Sequence, residues 1–145
     1  MLTNRSVPTD TMVAHVVYQD LPAALAWLTR AFGFTEHFRY GAPEDPAGIQ
    51  VLFGKAVIML QGPRGRSSPV QLGFGTQSLT LFVEDVDTHY ATAKSAGAII
   101  VEEPHETEYG EYQYAALDLD GHHWVFARHA HDANPAEWGA TLAKP

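Results

Sequence analysis

The chain has 145 residues, 46% of them hydrophobic, a formal charge of −8 and no cysteine. That length suits one domain with a proper core; the missing thiols exclude disulfides and thiolate metal sites, and the negative charge disfavours nucleic acid, which needs clustered Lys and Arg. No apolar run approaches the roughly 18 residues of a membrane span, and the N-terminal MLTNRSVPTDTM lacks the basic-then-apolar order of a secretion signal, so a cytoplasmic protein is expected.

Met12–Tyr18 reads as a first strand. Asp20 then caps a helix with Pro22 in its first turn, where a missing N–H costs nothing. Leu21, Leu25, Leu28 and Phe32 recur at helical spacing and form its buried stripe, and Gly33 ends it. Phe34–Tyr40 follows as a strand, and GAPEDPAG as a polar loop. Ile49–Phe53 and Ala56–Gln61 pair as a hairpin across Gly54-Lys55. Residues 62–75, rich in Gly, Pro and Ser, read as a linker. Ser78–Val83 is a strand, and Asp85 caps a helix running to about Ala96. Ile99–Glu102 is a strand, Pro104–Gly110 a loop, and Tyr112–Leu117 with His122–Arg128 a hairpin around Asp118–Gly121. A polar tail closes the chain.

Two of these stretches are one unit written twice, offset by about 65 residues. In each, a strand exits through an aspartate (Asp20, Asp85), then an aliphatic residue (Leu21, Val86), an Ala-rich helix and a glycine (Gly33, Gly97). Each half therefore reads βαβββ. The expected fold class is α+β: two βαβββ modules, at about 12–61 and 77–128, whose curved mixed sheets enclose a cavity, within a single domain covering 1–145.

Strand alternation assigns the faces. Leu79, Leu81 and Val83 share the aliphatic side that should meet a helix, leaving Ser78, Thr80 and Phe82 for a pocket. On the last strand Trp124 and Phe126 are helix-side candidates, and His123, Val125 and Ala127 lie opposite. His15 shares a face with Val13 and Val17, and Met59 with Val57 and Gln61. Tyr112 and Tyr114 are further candidates for the pocket wall. No G-x-S-x-G and no phosphate loop is present. Glu102 and Glu103 point apart as strand neighbours, so at most one faces a pocket.

Together the two βαβββ halves, the D-[LV]-x-x-A-like strand exit, AFGF after the first helix and DLDGHHW near the end resemble the vicinal oxygen chelate superfamily. The run YGEYQYAALDLDGHHWVF is similar to its glyoxalase/bleomycin-resistance branch, with Leu119 where a proline is usual. The resemblance spans about residues 12–128. It implies homodimers and, in metal-dependent members, one ligand on each of four strands. Those positions fall here on Val13, Met59, Ser78 and Val125, none of them suited to a hard divalent cation.

The sequence thus points to a metal-independent, cofactor-free small-molecule binding protein, a homodimer that sequesters an aromatic or cationic organic compound such as an antibiotic. Its expected ligand-binding residues are His15, Met59, Ser78, Thr80, Phe82, Tyr112, His123 and Val125. One alternative is a metal-free enzyme with His15 or His123 as general base. Another is a metal-dependent lyase or dioxygenase with shifted ligands, such as His15 and His123 with a carboxylate. No membrane or nucleic-acid partner is expected.

Overall fold

The computed structural model describes residues 2–144. In chain order its elements are β1 (Val13–Val17), α1 (Leu21–Phe32), β2 (Thr35–Ala42), β3 (Asp45–Phe53), β4 (Ala56–Gln61), α2 (Pro69–Leu72), β5 (Ser78–Phe82), α3 (Val86–Ser95), β6 (Ile99–Glu106), β7 (Glu111–Leu117), β8 (His123–His129) and a 3-10 turn at Pro135–Trp138. No helix among the described residues is long and apolar enough to cross a membrane.

The capping signals act as read. Asp20 Oδ1 accepts the Ala23 N–H at 3.0 Å, and Asp85 Oδ1 accepts the Thr88 N–H at 3.0 Å. Gly33 closes α1 at φ 82°, a left-handed conformation that favours glycine. Leu21, Leu28 and Phe32 are buried on the α1 face, with Leu25 packed beside them.

Each module builds its own four-stranded sheet, ordered β1-β4-β3-β2 and β5-β8-β7-β6. In both, the first strand lies parallel to the last and the remaining pairs are antiparallel. The two-module α+β architecture is the expected one. The sheets share no ladder and do not close on each other. One face of each contributes to a single hydrophobic core, which unites Val16, Ile49, Ile58 and Leu60 of one module with Tyr114, Trp124 and Phe126 of the other. α1 packs against α3 within that core. The other face of each sheet turns away from it and is called the outer face below.

Three local expectations are corrected. The loop GAPEDPAG is mostly ladder: β2 and β3 extend to Ala42 and Asp45, leaving a turn at Pro43-Glu44. The loop expected at 104–110 begins as strand, because β6 is an edge strand and tolerates Pro104 where no neighbour needs its N–H. The linker contains α2, begun by a capping box at Ser68, whose backbone N–H donates to Gln71 Oε1 at 3.0 Å.

Candidate functional site

Ladder register sorts the outer faces into rows. On the first sheet the rows are Val13–Val57–Leu52–Thr35, His15–Met59–Gln50–Phe38 and Val17–Gln61–Gly48–Tyr40. On the second they are Ser78–His123–Leu117–Ile99, Thr80–Val125–Ala115–Glu102 and Phe82–Ala127–Gln113–His105. The alternation therefore places His15 and Met59 on one outer face, and Ser78, Thr80, Phe82, His123 and Val125 on the other.

Tyr112 departs from this set. It shares the helix side with Tyr114, and its hydroxyl donates to Asp87 Oδ1 at 2.6 Å while Arg128 lies over its ring at 4.9 Å. Tyr114 is fully buried in the core. The reason is parity: Tyr112 pairs with Arg128 and Tyr114 with Phe126, and Phe126 faces the core.

Two hollows border these faces. A cleft of about 800 Å³ lies between β1 and β5, walled by Pro8–Met12 and the β3–β4 turn, and Thr80 and Phe82 line it. A groove of about 720 Å³ runs under the 69–77 segment, with Ser78 and His123 on its wall. His15, Met59, Val125 and Tyr112 line neither. The outer face of the first sheet is partly filled by its own chain. Gln50 is buried there, its Oε1 accepting from His37 Nδ1 at 2.6 Å and its Nε2–H donating to the Ser6 carbonyl at 3.1 Å.

The polar centre of the molecule is elsewhere, in the DLDGHHW turn. Asp118 Oδ2 accepts from the Tyr18 hydroxyl at 2.6 Å and from Trp124 Nε1 at 3.0 Å, and Oδ1 accepts the Asp120 and His122 N–H groups at 3.0 Å. Burial pushes the Asp118 carboxyl and the Tyr18 hydroxyl upward, and the bonds Asp118 accepts oppose that rise in the carboxyl. His122 Nε2–H donates to the Val17 carbonyl at 2.6 Å, and Asp120 Oδ2 accepts the Gln19 N–H at 2.8 Å. This turn joins the modules. The Asp118 and Asp120 carboxylates are buried and hydrogen-bonded within the protein, so their role is structural.

A sequence model of the Glyoxalase/Bleomycin resistance protein/Dioxygenase superfamily matches residues 11–126. The chain belongs to that superfamily. The crystal structure of TioX from Micromonospora sp. ML1 superposes with a TM-score of 0.71 at 32% identity, covering 83% of this chain and 99% of that one. TnmS3, an antibiotic binding protein from Streptomyces sp. CB03234, shares the fold at a TM-score of 0.66 and 19% identity, over 83% and 96% of the two chains. The uncharacterized protein Mb0911c of Mycobacterium bovis is 26% identical over 89% of this chain and 90% of its own.

The metal that some superfamily members use does not fit the residues at the four corresponding positions. Val13 and Val125 carry no donor atom, Met59 offers only a thioether, and the Ser78 hydroxyl is hydrogen-bonded to His123 Nδ1 at 2.6 Å. No group of three His, Asp or Glu side chains among the described residues converges on a common point for an ion. What sequence reasoning missed is the groove's upper wall. Phe74 and Val70 sit in the segment read as linker, and its S-P-V-Q capping box was the signal available there.

Proposed function

We propose that the chain is a small-molecule binding protein of the superfamily, sequestering an aromatic or cationic organic compound, antibiotics included, without metal chemistry. One observation carries this reading: the four positions where a metal would be gripped hold Val13, Met59, Ser78 and Val125, which offer a hard cation no ligand set, so the fold is left to work by binding. The Phe82 ring, 57% accessible, supports it, because it lines the 800 Å³ cleft and offers a stacking surface there. The net charge of −8 adds long-range attraction for cations, weakened by salt. A homodimer belongs to this reading, since a second copy would cover the unpaired edges of β1 and β5. TnmS3 shows only that the same architecture serves antibiotic binding elsewhere.

Calorimetric titration with bleomycin, an anthracycline and an acridine dye, each with and without added Zn²⁺ or Mn²⁺, tests the reading. The expected result is saturable binding of at least one compound, indifferent to metal, with the compound recovered unchanged by mass spectrometry. Binding that needs the metal, or recovery of an altered compound, would replace sequestration with catalysis.

A further inference from the structure

The first row of the second outer face crosses all four strands: Ser78, His123, Leu117, Ile99. It forms the floor of the 720 Å³ groove, and the 69–77 segment forms the wall above it. That wall is fixed to the DLDGHHW turn. The Val70 N–H donates to the Asp120 carbonyl at 2.9 Å, and a Cβ on Gly121, at φ 83°, would meet Pro69 Cβ and Val70 N at 3.3 Å. Only glycine permits this approach without strain, so the groove is a built feature of the turn.

Its lining is largely apolar, with polar side chains at Thr76, Gln77, Asp118 and the Ser78–His123 pair. Phe74 and Ile99, 61% and 63% exposed, line it with Leu117 and Leu119. Asp118 also borders the groove, with its carboxylate oxygens occupied by Tyr18, Trp124 and the turn. Thr76 and Gln77 are exposed on the 69–77 segment, and the polar unit on the sheet floor is the Ser78–His123 pair, with Oγ and Nδ1 2.6 Å apart. The bond holds the ring by Nδ1, and Nε2 finds no partner among the described residues. No carboxylate backs the imidazole, so the pair lacks the third member of an acyl-transfer triad.

We propose that Ser78 and His123 form a hydrogen-bonding unit that selects aromatic ligands bearing a phenolic hydroxyl. The inference rests on the sequestration reading and names the ligand class of one part of that site. A phenol suits the pair because, with Ser78 Oγ accepting the Nδ1–H, Nε2 is left as an acceptor to which a phenol donates and a methyl ether cannot. A permanent charge does not suit it. The neighbouring floor and wall residues, Leu117, Ile99, Phe74 and Leu119, supply no counter-charge to hold one.

The probes are 2-naphthol, 2-methoxynaphthalene and 2-(aminomethyl)naphthalene, titrated calorimetrically into the full chain. They share one ring system and differ in the polar group. The expected result is 2-naphthol binding about three- to tenfold more tightly than its methyl ether, the range of one hydrogen bond. His123→Leu should remove that preference while leaving the ether's affinity within about twofold, and Ser78→Ala should reduce it. Equal affinities for naphthol and ether in the unmodified chain overturn the inference, whatever the variants do. So does a preference that survives His123→Leu. Tight binding of the amine alone, unmoved by either substitution, overturns the phenol selection and leaves sequestration standing. Failure of all three probes to bind at millimolar concentration, beside saturable binding of an antibiotic, removes this groove from the site; failure of every compound removes both readings.

Discussion

The two modules repeat one topology and divide the work of packing unequally. With the halves aligned at their aspartate caps, Leu28 of α1 falls on Ala93 of α3, and α1 runs a further half-turn to Phe32, past where α3 has ended. Phe32 spends that length in the other module: its ring lies 4.8 Å from Phe126 and 6.2 Å from Trp124. Phe34 follows, 5.3 Å from Trp124. A large side chain in one copy corresponds to a small one in the other, and the two helices pack against each other within a single core. Duplication alone would give two equal faces. Divergence at a few buried positions makes the halves interdependent.

The sharpest way to break this comparison is Phe32→Ala. It should cost roughly 3–5 kcal/mol, the range for removing a buried aromatic ring. Urea unfolding followed by tryptophan fluorescence measures the loss. Ala93→Gly, at the matching face of α3, should cost only about 1 kcal/mol through helix propensity. Comparable losses at the two sites would mean that the modules contribute equally after all.

The hairpin turns differ in the same sense. The first module joins its last two strands through Gly54-Lys55, a minimal turn. The second uses Asp118–His122, and Asp118 reaches across to Tyr18. Asp118→Asn puts an amide N–H where Tyr18 and Trp124 both donate, leaving at least one buried donor unpaired. The expected loss is about 1–3 kcal/mol in the same unfolding assay. A loss below about 0.5 kcal/mol, the level of an ordinary surface change, would show that the turn does not join the modules.

The helices, their caps and the face of nearly every strand were legible in the sequence, because period and capping are local properties. Asp20, Gly33 and the stripe from Leu21 to Phe32 needed no tertiary information. Tyr112 was misplaced because its aromatic character suggested a pocket, while its register against Arg128 set its side. Bulges were illegible for a related reason. His37 is the extra residue between Glu36 and Phe38, so Phe34 faces the core whereas Phe38 shares the outer row with Gln50. The period-two run of aromatics could not reveal that change of side. The Ser78–His123 contact needed the parallel β5–β8 pairing across 45 residues of sequence, which no local pattern encodes.

The smallest expected effect concerns the residue that divergence placed beside the shared core. His89 in α3 occupies the position of Ala24 in α1. Its Nε2–H donates to the Phe32 carbonyl at 2.8 Å, so the neutral ring accepts the Tyr114 hydroxyl at Nδ1. The rings of Phe32, Phe53, Tyr114 and Phe126 surround it. Burial holds its pKa below the ordinary value of 6.5, with the Phe32 bond opposing weakly. A depressed folded pKa means that the unfolded chain binds the proton first. His89 therefore adds stability above about pH 6.5, and that contribution is lost as pH falls through 6.5 and past the depressed folded value. One proton limits the slope to about 1.4 kcal/mol per pH unit, and the ring's partial exposure keeps it lower. Urea midpoints at pH 7.5 and 5.5 should therefore fall further for the wild type than for His89→Gln, which cannot titrate. Equal falls would place the acid sensitivity outside the shared core.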